Sequence, residues 1–428
     1  MRLHRRPRLR PATPEHARLR LGGFARLILN IIPKGRRMPN TILTPTAVTR
    51  EALRVLHQKL NFVGSITREY DDSFARQGAK VGDTLKVRLP NQYTVRTGAT
   101  LAAQDTTESA VDLKVQTQKG VDLNFTSVDL TMSLDDFSER VLEPAMSVLA
   151  ANIEADAMNM YKDVYNQVGA AGQPATFAKV LQGRKVLVDN LAPLTGRTCN
   201  LNTQDNVDLV DALKGLFNDK ATISRQNREG FMGRTAGFDF MENTLWPSHQ
   251  RGAGSGYLVN GAGQTGATLA VNTGTGAGKQ GDVFIIAGVN RVHPETKQTT
   301  NVPQQFTLTA DYAGGAGTLA ISPAIVTSGA GQNVSGSPAA GAAITFAGTA
   351  SIAHGISMAY QKGAFAFATA DMVMPRGVDF AAREVFDGVS MRIVRQYDIN
   401  NDKFPCRLDV LYGYRTLRPQ LACRLANN

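Results

Sequence analysis

Cysteine is scarce: Cys199, Cys406 and Cys423 stand far apart in 428 residues, with no C-x-x-C. That excludes a disulfide-stapled fold and suits a reducing compartment. The histidines, at 4, 16, 57, 249, 293 and 354, never fall two to five residues from one another, so local zinc-ligand spacing is lacking. Long apolar runs are missing too. Phe24–Ile32, broken by Arg26, is about half of the roughly 20 residues that cross a bilayer, and no membrane span is expected. Charge is sparse at 19% of residues. No G-x-S-x-G nucleophile elbow occurs, and nothing marks a Cys-His pair. The adjacent acids Asp71-Asp72 and Asp135-Asp136 would diverge on a helix or a strand, which makes them poor acid–base dyads. No catalytic, cofactor or metal site is expected, and no enzymatic activity.

What the chain has is a local excess of positive charge. The net charge is +11, but residues 1–37 carry ten Arg and one Lys against a single acid, Glu15, which leaves the body at +1. A strongly basic nucleic-acid surface is therefore not a property of the body. Three readings of the prefix stay open: a basic arm, an Arg-rich targeting segment, or a start assigned too early. On the third, Lys34-Gly35 implies a purine-rich tract like a ribosome-binding site, two codons before Met38.

Glycine is abundant, at 40 residues. Residues 274–279 read GTGAGK, which looks like a phosphate-binding loop. A P-loop requires G-x-x-x-x-G-K-[ST]; here Thr273 replaces the first glycine and Gln280 the hydroxyl that would bind magnesium. The segment leads into an apolar run, Val283–Val289, and not into a helix. It reads as a β connection.

Periodicity organises the rest. Val48, Ala52, Val55, Leu56 and Leu60 predict a helix within 38–63, with Thr44 and Pro45 near its start. Residues 81–130 alternate in short runs (VGDTLKVRLP, NQYTVRTG, AVDLKVQTQKGVDLNF), which predicts the strands of a long hairpin. Lys86, Arg88, Arg96, Asp112 and Lys114 keep it charged and exposed. Leu142, Met146, Leu149, Ile153, Met160 and Val164 predict a long helix over Ser133–Val168. Ser133 and Asp136 act as a capping signal, and Pro144 either kinks the helix or restarts it. The stretch from Pro144 would span roughly 37 Å. Asn202 or Thr203 caps a helix whose Val207, Leu209, Val210, Leu213 and Leu216 are expected to face inward. Residues 312–361 hold no Asp, Glu, Lys or Arg, yet strand patterns at 283–289, 305–310 and 318–321 argue against a disordered linker. They predict a small all-β barrel or sandwich inserted in another domain.

In this order, three segments carry a resemblance: SLDDFSERVLEPAMSVLAANIEADAMNMY (133–161), GDVFIIAGVNRVHPETKQTTNVPQQFTLTAD (281–311) and CRLDVLYGYRTLRPQLACRL (406–425), the last with Cys406-Arg407, Tyr412-Gly413 and Arg418-Pro419. Together they resemble the major capsid proteins of tailed phages, specifically the P22 coat protein family. The resemblance implies an α+β Hong Kong 97-type capsid fold: a peripheral domain with a long spine helix, an axial domain, an E-loop and an N-terminal arm, with an inserted all-β telokin/Ig-like domain. Its parts would be 1–37 as a basic extension without counterpart, 38–80 as the arm, and 81–130 as the E-loop with peripheral strands. Residues 131–172 would hold the spine helix, 173–245 and 351–428 the axial domain with closing peripheral strands, and 246–350 the insertion. It implies an icosahedral shell of pentamers and hexamers around double-stranded DNA, assembled in the bacterial cytoplasm. Implied partners are other copies, a scaffolding protein, a portal and the packaged DNA held non-specifically, with no membrane. Lys86, Arg88 and Arg96, on the expected projection, are the candidate inter-subunit contacts. The rival classes are an extracellular β-rich adhesion protein and a cellular encapsulating shell protein on the same fold.

Overall fold

The computed structural model describes residues 45–71, 84–101, 103–105, 108–125, 138–213, 233–400 and 403–427. The prefix 1–37, the capping pair Ser133 and Asp136, the acids Asp72 and Asp135, and Leu216 lie outside them.

Helix α1, Pro45–Lys59, forms where expected, and Val48, Ala52, Val55, Leu56 and the following Leu60 are all buried. A one-turn helix, α2 (Phe62–Ser65), follows. The third helix, α3, is Glu143–Met158, preceded by a π-helical turn at Ser138–Leu142. Pro144 lies in its first turn, where a missing N–H costs nothing, so it restarts the helix. All six stripe residues are buried, but the helix stops at Met158 and not at Val168. A 3-10 turn, Asn159–Asp163, and a strand, Gln167–Gly169, complete the segment. At 16 residues α3 spans about 24 Å, not 37. Tertiary bonds explain the early stop. The Lys162 carbonyl accepts from Arg424 (3.1 Å) and Thr307 (3.2 Å), and Asp163 accepts from Thr416 (2.7 Å).

Two sheets share one apolar core with these helices. The first runs 67–71, 365–370, 404–416, 389–395, 380–386, with 117–125 also paired to the long strand 404–416. The second runs 167–169, 422–426, 353–361, 197–201, 238–242, 234–235, and helix α4 (Phe177–Asp189) packs on it through Val180, Gly183 and Leu187. Helix α5, Thr203–Leu213, is capped by Asn202, whose Oδ1 accepts from the Asp205 N–H at 2.7 Å. Leu209 is buried and Val210 partly so, but Val207 is 60% exposed, against expectation. Its position falls on the outer side of a helix that buries only one stripe.

Residues 257–346 own a separate core, built on Tyr257, Phe284, Phe306, Leu308 and Ile321. Their six strands run 258–259, 266–272, 317–325, 299–308, 283–292, 344–346. The Val259 N–H bonds to Ala342 and the Ile344 N–H to Tyr257 (both 3.0 Å), so the two ends of the sheet join. This is an all-β barrel, whose closure joins the two outer strands of the sheet. It leaves and re-enters the body on paired strands, 248–250 and 353–355, with His249 opposite His354.

Candidate assembly surfaces

The hairpin begins as two antiparallel strands, 84–88 and 110–114. Its base is anchored. Leu113 and Val115 are buried with Ala366, Ala368, Ala370 and Met372, and the Lys114 carbonyl lies 2.0 Å from where a side chain at Gly413 would place its Cβ. Only glycine permits that approach. Beyond the paired strands, Asn91–Gly98 is not a strand, against expectation. Alternation of side chains is present, but among the described residues no backbone pairs with it. Gln92 passes near Gly331 of the barrel, and every described residue from 93 to 105 is exposed.

Lys86 and Arg88 stand on the exposed side of strand 84–88, Lys86 opposite Asp112 in register. Arg88 meets Glu108 across its own hairpin at 3.2 Å, with both side chains more than half exposed. Arg96 stands apart at the tip, where it donates to the carbonyls of Gly98 and Thr100. The structure thus groups Lys86 with Arg88 and gives Arg96 a different local task.

A second feature, the joint between barrel and body, was not predicted. Arg424, fully buried, donates to the Gly281 carbonyl at 2.6 Å and to Thr307 Oγ1 at 3.2 Å. Desolvation lowers its pKa to about 10, so it stays charged at neutral pH. Asp282 receives the His249 ring at 2.9 Å and the backbone N–H groups of Gly252 (3.0 Å) and Lys279 (2.9 Å). The Tyr161 hydroxyl meets the other His249 nitrogen at 3.1 Å. His354 sits 5.6 Å from His249, buried, with neither ring nitrogen partnered; desolvation pulls its pKa down to about 4. Gln305 and Gln167 exchange two hydrogen bonds, at 2.8 and 2.9 Å. The participants come from six separate segments, so no local motif announces them.

The joint also settles GTGAGK as a turn. Gly274 and Gly276 have positive φ. The Lys279 and Gln280 amides, which a phosphate would require, are taken by the carboxylates of Asp282 and Asp311, and the Lys279 ammonium by Gln250. Among the described residues no group of three His, Cys, Asp or Glu could hold a metal, and no helix is long and apolar enough to cross a membrane.

A family model described as P22 coat protein - gene protein 5 matches residues 65–424. No curated protein matches the chain. Among solved structures, it is similar to one of Mycobacterium phage Che8 (12% identity, TM-score 0.42, covering 86% of this chain and 90% of that one). A similar likeness is to the asymmetric unit of the bacteriophage PhiM1 mature capsid (10%, 0.42, 86% and 87%). Another is to a virus-like particle from Pyrococcus furiosus (6%, 0.36, 89% and 98%).

Proposed function

Because the chain belongs to the P22 coat protein family, we propose that it tiles an icosahedral head around double-stranded DNA, with its hairpin clasping adjacent copies. It is a shell-forming coat protein of a virion. On our reading, residues 84–114 with the loop between them are the E-loop, α3 is the spine helix, and the sheet built on 353–361 belongs to the axial domain. The barrel then corresponds to the telokin-like insertion by its place in the chain. Assembly takes place in the host cytoplasm with a scaffolding protein and a portal as partners.

The observation that carries this reading is the hairpin, anchored at its base and exposed beyond residue 92. Beyond its base, such an element is exposed and free to meet a neighbour. Contacts near −4 kcal/mol have only millimolar affinity singly, yet a subunit engaging several neighbours is held firmly and errors can still be undone. A body close to neutral also avoids gripping packaged phosphates, which dominate affinity for DNA. Lys86 and Arg88 contribute cross-subunit ion pairs at the shaft, together worth about 1 kcal/mol at such exposure. Charge-reversed variants that assemble normally at low salt, where such pairs are least screened, would reject them.

Negative-stain microscopy of the full chain, alone and with a scaffolding partner, tests the reading. Shells or sheets of capsomer-like rings are expected. Dispersed monomers under every condition contradict it.

A further inference from the structure

Tyr93, Val95 and Leu101 at the hairpin tip are 57%, 93% and 81% exposed. The apolar needs of the hairpin are met at its other end, by Leu113 and Val115 in their small core. Among the described residues the tip has no strand partner, yet it is braced. The Gln104 side-chain amide accepts from the Thr94 N–H (2.9 Å) and donates to the Thr94 carbonyl (2.6 Å), pairing the two arms as a neighbouring strand would. Arg96 reaches over the turn at Gly98, φ +98°, to the carbonyls of Gly98 and Thr100. Between Arg88 and Asp105 the only charged residue is Arg96, and its guanidinium is turned onto backbone.

We propose that the tip is a preorganised apolar knob, Val95 and Leu101, that inserts into an apolar site on a second copy of this chain, with Arg96 and Gln104 as positioning residues and not as intermolecular charges. The inference rests on the coat reading and says what kind of grip the hairpin makes. The occupant is a second copy because coat subunits have one another as neighbours, and because the most exposed large side chains of the tip, Val95 and Leu101, are apolar while its single charge, Arg96, bonds to backbone carbonyls. Bracing matters because a loop ordered in advance loses less conformational freedom on docking. Large apolar side chains in a desolvated pocket are the kind of contact that dominates an interface.

The test uses the full chain and measures the protein concentration at which particles appear, by sedimentation and electron microscopy. Val95→Ser with Leu101→Ser raises that threshold on the order of tenfold while leaving the thermal midpoint of the unassembled subunit unchanged. Arg96→Ala and Gln104→Ala each raise it by a smaller factor, again without changing the midpoint, and Arg96→Lys recovers only part because its flexible stem holds the ammonium less firmly over the two carbonyls than the planar guanidinium is held. Raising sodium chloride to 1 M moves the wild-type threshold by less than about fivefold, the reach of one or two exposed ion pairs. A double variant that assembles at the wild-type threshold, a fall in its midpoint, or a tenfold salt effect overturns the knob. A wild-type chain that never assembles overturns the coat reading and this inference with it, an outcome distinct from those three.

Discussion

Arg424, on the closing strand of the body, donates a 2.6 Å hydrogen bond to the Gly281 carbonyl of the barrel, 143 positions away. The guanidinium has no access to solvent, and its other bonds tie the Lys162 carbonyl and Thr307 into the same point. A buried charge of this kind fixes geometry more than it adds stability, and removing its partners strands polar groups. Arg424→Leu leaves the Gly281 carbonyl and Thr307 Oγ1 without their donor, takes one of two from the Lys162 carbonyl, and lowers the unfolding free energy by about 3 kcal/mol. Urea titration reads this as a lower midpoint. Because the barrel keeps its own core, its near-ultraviolet signal persists beyond the loss of the body signal.

His354 makes the same joint sensitive to acid. Its folded pKa is about 4 against an ordinary 6.5, so between those values the unfolded chain binds a proton that the folded chain does not. Stability therefore falls as pH drops from about 6.5 to about 4 and flattens below that, by about 3 kcal/mol in all. Glu154 and Asp205, whose pKa values burial raises, act in the opposite sense, losing stability as pH rises. The contribution of His354 is thus read as the difference between wild type and His354→Leu. As pH falls through that window, wild type should lose about 3 kcal/mol relative to the variant; parallel curves would mean His354 does not titrate as described.

Gly413→Ala tests how the hairpin is seated. A Cβ there would meet the Lys114 carbonyl at 2.0 Å, so the hairpin base must lift from strand 404–416. The cost is about 1–3 kcal/mol, and amides in 110–115 should lose protection from hydrogen exchange before those of the barrel do.

The thiols are packing groups. Cys199, Cys406 and Cys423 are buried, and desolvation pushes the Cys406 and Cys423 thiols up to about 12 and Cys199 higher still. At pH 8 the native subunit should resist a thiol-specific reagent at all three, and the denatured chain should react at all three.

Much of this was legible in the sequence, and its limits have physical causes. The stripes of α1 and α3 show because a period near 3.6 is written in the residues themselves. Met160 and Val164 continue the stripe and are buried, yet they sit beyond the end of the helix. Periodicity registers which residues face inward, not whether a helix or a 3-10 turn takes them there. Alternation at 305–310 and 318–321 marks parts of the strands that form at 299–308 and 317–325, whereas Asn91–Gly98 alternates without being a strand because a ladder requires a partner backbone. The joint could not be read at all. His249 meets His354 only because strands 248–250 and 353–355 pair, and Arg424 gives no local sign that it will be buried. Lys86, Arg88 and Arg96 were picked by charge and position; the structure separates Arg96 from the other two by its bonds to backbone.

The most direct measurement is a reconstruction of assembled particles by cryo-electron microscopy, resolved well enough to trace residues 84–114 in each subunit. The account predicts Val95 and Leu101 seated against apolar side chains of a neighbouring copy, with Arg96 still closed over Gly98. A hairpin folded back onto its own subunit, with no neighbour at its tip, would contradict it.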